Sequence, residues 1–307
     1  MAEYLTVDEQ PELRSPTMIV AFRGWPDAGE VASGSMRYLL RKLRTQKFAS
    51  IDPEEFYDFT EARPTTRLRT PWQRDVRWPR NEFHYYRRRG EGSDFVLFLG
   101  REPNLRWRTY IGIVLDLAEQ CGVQRLVSLG GTFDQVSHNG DPKVSGTAME
   151  ASLRRAMQGL GLQPSRYEGP TSVHSALAEA CQKRGLPAGS LWGHAPHYLQ
   201  AAPNVKVCYG MLRKLSALLD LTVDLEELRG AAHALELRVE RLLVDNAELR
   251  EYVRQLDAGE LPAAEEAETE TDEGPPPEIP SPEAVVRELE EFLRQQQRRP
   301  DDDPPQS

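Results

Sequence analysis

The sequence contains little cysteine: three residues in 307, at Cys121, Cys181 and Cys208. Because they are few and widely spaced, they exclude a disulfide scaffold and a zinc knuckle. The chain also lacks the run of roughly 20 apolar residues that a membrane helix needs, and its acidic start has no signal-peptide pattern. We therefore expect a cytoplasmic protein that contacts no membrane.

Familiar catalytic and cofactor motifs are also missing. The sequence contains no GxGxxG, GxxxxGK[ST], GxSxG or HExxH pattern. His194 and His197 flank a proline, which disrupts the helical spacing that a metal-binding pair needs, so we predict structural roles for both. We expect no cofactor and no metal site.

Negative charge is scarce outside the C-terminal segment. The net charge is −10, but residues 258–307 alone hold 15 acidic and four basic residues. The remainder is near neutral, so nucleic-acid binding is not expected. Residues 63–89 are rich in arginine and aromatic side chains, as nucleic-acid stacking surfaces are. We expect arginine to stack on tryptophan inside the domain instead, and RNA binding is the weaker alternative.

Short apolar runs that alternate with helical patterns predict the fold class. The predicted strands are residues 18–22, 47–51, 94–100, 124–130 and 188–195, and the predicted helices lie near 107–121, 149–160 and 173–184. This order favours an α/β fold, with layered helices around a largely parallel sheet. We also expect an antiparallel strand at a sheet margin over residues 83–87, and an irregular loop over residues 132–147.

A change of period near residue 225 predicts a C-terminal long-helix extension. Leucine recurs every seventh residue, at Leu228, Leu235, Leu242, Leu249 and Leu256. A parallel coiled coil has this pattern, with Asn246 setting its register. The alternative is an amphipathic helix that packs on its own domain or folds as a hairpin.

These patterns divide the chain into six predicted segments. They are an N-terminal arm (1–16), an α/β domain (17–221), an amphipathic, coiled-coil-like extension (222–257), an acidic disordered linker (258–280), a short helix (281–299) and a disordered tail (300–307). The short helix presents an apolar stripe that includes Val285, Leu289 and Phe292. A tethered amphipathic helix of this kind suits docking on a protein partner.

The stretch Gly24-Trp25-Pro26-Asp27-Ala28-Gly29 lies between the first predicted strand and helix. Ligands usually bind at that edge of an open α/β sheet. Asp27 is therefore a candidate ligand or base, although it could instead cap the following helix. Glu102 follows another strand and could face the same cleft, or pair with a nearby arginine. The candidate ligand-binding residues are Gly24, Trp25, Asp27, Gly29, Glu102, Arg106, His138 and Glu168.

Six short motifs together resemble the proteasome assembly chaperone 2 family, in its bacterial, actinobacterial-type branch. They are residues 24–29 (GWPDAG), 52–59 (DPEEFYDF) with Arg63-Pro64, 78–83 (WPRNEF), 100–107 (GREPNLRW), 167–171 (YEGPT) and 195–198 (APHY). Their order and spacing cover about residues 18–256. The resemblance implies a fold similar to the nucleoside phosphorylase/hydrolase architecture and a homo-oligomer, but no known reaction.

The chain departs from relatives of that family at two places. Residues 135–142 (QVSHNGDP) replace a His-Thr-Arg-Pro motif, which puts a ligand role for that loop in doubt. The sequence ends Asp-Pro-Pro-Gln-Ser, without the hydrophobic-Tyr-any terminus by which some archaeal relatives dock on proteasome rings, so we do not expect that mode of docking here.

Two functional hypotheses follow. The first is a non-enzymatic, homo-oligomeric protein-interaction or assembly-chaperone-like factor, linked to proteasome biology. The alternative is a small-molecule-binding enzyme, of the nucleoside hydrolase or transferase type, that uses Asp27 and Glu102 in a cleft at the first turn. Convergence of these two carboxylates beside Trp25 would favour the enzyme.

Overall fold

The computed structural model describes residues 4–200 and 203–260. Its strands are β1 (Leu5–Val7), β2 (Thr17–Arg23), β3 (Gln46–Ile51), β4 (Thr65–Thr70), β5 (Gln73–Arg77), β6 (Glu82–Tyr86), β7 (Phe95–Arg101), β8 (Arg125–Asp134), β9 (Val144–Ala148) and β10 (Ala188–Pro196). Its α-helices are α1 (Val31–Lys42), α2 (Trp107–Gln120), α3 (Ala151–Gly159), α4 (Val173–Lys183), α5 (Val205–Leu219), α6 (Glu226–Asp245) and α7 (Ala247–Ala258). The predicted linker, short helix and tail beyond Glu260 lie outside these residues.

An eight-stranded mixed sheet forms the centre of the molecule, in the order β1-β3-β6-β7-β2-β8-β10-β9. The four central strands, β7, β2, β8 and β10, are parallel to one another. The flanking pairs are antiparallel. The α/β class is therefore confirmed, with a sheet that is parallel in its centre and antiparallel at both sides.

Helices cover both faces of this sheet, because the central strands are apolar on both sides. Along β2, Met18 and Phe22 face the layer that contains α2 and α4. Ile19 and Ala21 face the other layer, which contains α1, α3 and α5. Two separate cores result, one on each face of the sheet.

Two predictions about the sheet are wrong. Residues 132–147 are not all loop: β8 continues to Asp134, and β9 pairs with β10 at the sheet edge. Pairing with a neighbouring strand outweighs the polar, glycine-rich composition of β9. The strand over residues 82–86 is antiparallel, as predicted, but it lies between β3 and β7 rather than at a margin.

The heptad region forms two helices instead of one long helix. The backbone leaves the helical conformation at Asn246 (φ −121°, ψ 97°), whose side chain accepts a hydrogen bond from the Leu249 N–H at 2.9 Å. Asn246 is thus the N-cap of α7. Several seam residues are buried within this chain: Leu228, Ala232, Val239 and Val253. These contacts match the alternative of helices that pack on their own domain.

Residues 65–77 form an isolated hairpin of β4 and β5, which pairs with no other strand in the described chain. Trp72 lies between the two strands and is 94% exposed. Trp78, just after β5, packs edge-on against Phe59 rather than against an arginine. The predicted arginine–tryptophan stacking inside the domain is therefore wrong, because the hairpin projects from the domain.

Candidate functional site

A cleft of about 610 Å³ opens at the carboxyl edge of the central strands. The turn after β2 forms one wall, and the end of β8 together with Trp192 forms another. Four of the eight candidate residues line it: Gly24, Trp25, Asp27 and Gly29. The sequence therefore located a real concavity at the position where α/β sheets commonly bind ligands.

Close backbone contact shapes the turn that borders this cleft. Gly24 and Gly29 have φ of 111° and 58°, which favour glycine. The Gly131 N–H donates to the Pro26 carbonyl at 2.8 Å, so the turn is fastened to β8. A Cβ on Gly131 would lie 2.7 Å from the Ala28 oxygen. Only glycine at residue 131 lets the turn approach β8 this closely.

The Asp27 carboxylate serves the backbone of α1. Its Oδ1 accepts from the Ser33 N–H at 3.0 Å, inside the first turn of the helix. Burial raises the pKa of Asp27 to about 6, although hydrogen bonds from Ser33 and Ala32 act in the opposite direction. Asp27 is only 9% exposed. The capping role considered from the sequence is therefore present, supplied from a position before the formal N-cap, Glu30.

Glu102 serves a different helix. Its Oε1 accepts from the Val173 N–H at 2.8 Å, at the first residue of α4. Burial raises the pKa of Glu102, partly offset by this hydrogen bond. The predicted alternative of an arginine partner is wrong, because the α4 backbone satisfies the carboxylate. Asp27 and Glu102 are thus committed to two different helices instead of converging on one ligand.

Aromatic side chains give the cleft its exposed surface. Trp25 is 61% exposed and Phe133 is 39% exposed. Trp192 lies beside them, and a Cβ on Gly130 would be 2.6 Å from its ring. His174 packs edge-on against Trp192, and burial lowers the pKa of that histidine to about 3, so it is neutral. Exposed aromatic rings around a concave surface are typical of sites that bind other molecules.

The sequence missed Phe133 and Trp192 as cleft residues. The available signal was the pair Gly130-Gly131 at the end of β8, since consecutive glycines in a strand mark close approach from outside. Gly130 accommodates Trp192 and Gly131 accommodates the turn.

Three other candidates lie outside the cleft lining. Arg106 begins α2 and pairs with Glu55 at 2.9 Å. His138 is buried, its N–H donates to the Tyr198 hydroxyl at 2.7 Å, and it borders a separate cavity of about 20 Å³. Glu168 is exposed in the segment between α3 and α4.

A Ser-His-Asp arrangement forms at the far end of the sheet, and no motif predicted it. His194 Nε2 lies 2.8 Å from Ser145 Oγ, and its Nδ1 lies 2.8 Å from Asp134 Oδ2. Lys143 Nζ also contacts Asp134, at 2.8 Å. Burial opposes ionisation of Asp134, but hydrogen bonds from His194 and Lys143 bring its pKa below the usual range.

This arrangement lacks the other parts of a hydrolase site. Ser145 is 5% exposed. The Gly146 N–H, which would be an oxyanion donor, is used by the Gln163 carbonyl at 2.9 Å. The cluster instead ties β9 to β8 through β10, which matches the structural role predicted for His194.

Two searches of the described residues found nothing further. No group of three His, Cys, Asp or Glu side chains among them is arranged to hold a metal ion. None of the helices in residues 4–200 and 203–260 combines the length and apolarity needed to cross a membrane.

Fold and cleft together define an α/β protein whose ligand edge is lined by aromatic rings and whose carboxylates are bound to helix termini. The PAC2 family model matches residues 21–243, so the chain belongs to the PAC2 family. None of the curated proteins compared matches it.

Solved structures of similar proteins agree with this assignment. A PAC2 family protein from Streptomyces avermitilis is 38% identical, with a TM-score of 0.71 over 78% of this chain and 99% of that one. A proteasome-assembly chaperone homologue from Mycobacterium tuberculosis is 34% identical, with a TM-score of 0.70 over 77% and 99%. An archaeal proteasome activator from Pyrococcus furiosus shares the fold at 20% identity, with a TM-score of 0.61 over 78% and 97%.

Proposed function

We propose that this protein is a non-enzymatic, cytoplasmic, homo-oligomeric factor that binds protein partners in the manner of an assembly chaperone, with proteasome subunits as those partners. The observation that carries the proposal is 34% identity, over 99% of its length, to a protein described as a proteasome-assembly chaperone homologue. Membership of the PAC2 family supports the same role.

The chemistry of the cleft supports binding over catalysis. Asp27 and Glu102 each accept a hydrogen bond from a helix backbone. A carboxylate held in this way is less available as a base. Trp25 and Phe133 remain exposed and offer apolar area for a protein side chain or loop.

The test uses the purified full chain and separately purified, unassembled proteasome α and β subunits. We expect the wild-type protein to bind subunits and to increase ring formation on native gels. Trp25→Ala should weaken binding at least tenfold, the scale of a central aromatic contact. Trp72→Ala is the matched control, since it removes a tryptophan that is 94% exposed but lies outside the cleft.

Equal binding by wild-type and Trp25→Ala proteins would remove the cleft from the proposal. No binding of any subunit by the wild-type protein would contradict the proposed partner. Sedimentation of the same samples measures the oligomeric state, and a strict monomer at all concentrations would contradict the homo-oligomer.

A second candidate is a small-molecule enzyme of the nucleoside hydrolase or transferase type, on the predicted nucleoside phosphorylase-like architecture. The observation in its favour is the pKa of Asp27, raised to about 6 by burial at the wall of a 610 Å³ cleft. General bases commonly have pKa values near this range. A panel of nucleosides and sugar phosphates, tested by thermal shift and turnover, separates the two: turnover lost in Asp27→Asn would establish the enzyme.

A further inference from the structure

The hairpin formed by β4 and β5 is a charged, amphipathic surface that is uncovered in residues 4–200 and 203–260. Residues 63–80 contain six arginines and one aspartate. Arg69 pairs with Asp75. Arg67, Arg74 and Arg77 have no ion-pair partner within the described chain, so their charge is available to another molecule.

The two faces of the hairpin differ. Alternation along β4 and β5 puts Leu68 and Val76 on one face, and Arg67 and Arg77 on the other. Leu68 and Val76 are 61% and 55% exposed, and Trp72 between the strands is 94% exposed. A two-stranded hairpin alone is marginally stable in water. A partner that covers the apolar face and neutralises the arginines would stabilise it.

The negative charge that matches this surface is concentrated in one segment of the same chain. Residues 261–307 hold 14 acidic and four basic residues, whereas residues 1–260 hold 34 of each sign. A second copy's folded body is thus neutral overall and offers no comparable excess. The sequence also predicts an apolar stripe in the acidic segment, with Val285, Leu289 and Phe292, which lies outside the described residues.

The distance allows this contact within one molecule. Asp257, near the end of α7, accepts from the Asn139 side chain at 2.8 Å, so the helix ends beside the carboxyl end of β8. The hairpin follows the carboxyl end of β3, four strands away, which is about 20 Å across the sheet. Residues 261–307 would span about 70 Å even as one continuous α-helix. Reach is therefore sufficient in any conformation.

We propose that the acidic segment 261–307 docks on the β4–β5 hairpin of its own chain, covers Leu68, Trp72 and Val76, and neutralises the free arginines. The hairpin is then a self-occupied site, and an acidic partner must displace the segment to reach it. This inference does not depend on the proposed chaperone role.

Hydrogen–deuterium exchange of residues 65–77 tests the proposal, with the full chain compared to a chain that ends at Glu260. The truncated chain retains every described element after residue 3. We expect exchange in the hairpin to be about tenfold slower in the full chain, as a tethered segment at about 1 mM effective concentration gives with a dissociation constant near 0.1 mM. The protection should disappear at 1 M salt, where the Debye length is about 3 Å.

Charge reversal provides the matched variants in the full chain. Arg74→Glu with Arg77→Glu should abolish the protection, because both side chains are exposed and face the proposed segment or its edge. Arg238→Glu with Arg241→Glu changes the net charge equally on the exposed part of α6 and should leave it intact. Protection must also be independent of protein concentration.

Three results would overturn the proposal. Equal exchange in the full and truncated chains shows that the segment does not cover the hairpin. Protection that grows with protein concentration in the truncated chain assigns the surface to a second copy. Protection that appears equally in both chains only after a single-stranded RNA oligonucleotide is added assigns it to nucleic acid.

Discussion

The turn between β2 and α1 and the β4–β5 hairpin both combine tryptophan with charged residues, but the fold uses their charges in opposite ways. In the turn, the Asp27 carboxylate is buried and bound to the backbone of α1. In the hairpin, Arg67, Arg74 and Arg77 are exposed and have no ion-pair partner among the described residues. Charge in the turn maintains the fold, whereas charge in the hairpin is available for recognition.

The sequence predicted nearly the reverse of this division. It treated the turn as the foremost ligand site and expected the arginine-rich stretch to be packed inside the domain. The contrast shows that a charged residue's role depends on whether a backbone group lies near enough to satisfy it, which local sequence does not reveal.

The largest expected effect tests how closely the turn is fastened to β8. Gly131→Ala would put a Cβ 2.7 Å from the Ala28 oxygen, and backbone must then move. We expect a loss of about 3 kcal/mol in the free energy of unfolding, at the upper end for overpacking. Chemical denaturation monitored by circular dichroism measures it.

Gly112→Ala in α2 is the matched control, because a Cβ there meets no atom within 4 Å. It should stabilise the protein by about 0.5–1 kcal/mol, through the better helix propensity of alanine. If both substitutions had the same sign, the turn would not be packed on β8 as described.

The second effect concerns the ionisation of Asp27. Its pKa in the folded protein is raised to about 6 by burial, from an ordinary value of 3.8. The folded state therefore holds a proton that the unfolded state releases between these values, so stability is present below pH 3.8 and is lost as pH rises through 6. We expect this loss to be about 2–3 kcal/mol.

Asp27→Asn removes this titration while keeping an oxygen that can accept from the Ser33 N–H. The difference in unfolding free energy between the variant and the wild type should therefore rise between pH 4 and pH 7, by the amount just given. Denaturant titrations across that range measure it, with Glu168→Gln as an exposed carboxyl control. Parallel curves for wild type and Asp27→Asn would show that Asp27 is not buried as an acid.

Strand and helix positions were the most predictable part of this molecule. The strands β2, β3, β7, β8 and β10 are near-continuous apolar runs, and each was placed correctly in the sequence. β9 was missed because its Val144-Ser145-Gly146 composition resembles a loop, and only pairing with β10 makes it a strand. Likewise, four turn residues of the cleft were predictable, whereas Trp192 reaches it from a strand more than 160 residues away in sequence.

The third effect extends the comparison to the heptad region, where a polar residue again had two possible uses. Asn246 caps α7 through the Leu249 N–H, rather than setting the register of a coiled coil. Asn246→Ala should lower the free energy of unfolding by about 1 kcal/mol, and Asn246→Asp should restore it. In a parallel coiled coil, loss of the polar seam residue would raise stability instead. Thermal unfolding with sedimentation decides between the two signs.

The smallest effect separates the hairpin from the packed domain. Trp72→Ala should change the free energy of unfolding by less than about 0.5 kcal/mol, because the side chain is 94% exposed. Trp78→Ala, six residues further on, should cost about 1 kcal/mol, since its ring lies 4.8 Å from that of Phe59 in an edge-on contact. Denaturation of a chain ending at Glu260 isolates these effects from the acidic segment. A loss of more than 1 kcal/mol for Trp72→Ala would mean that the hairpin tip packs on the domain, and the division between a charge-satisfied turn and a free hairpin would fail.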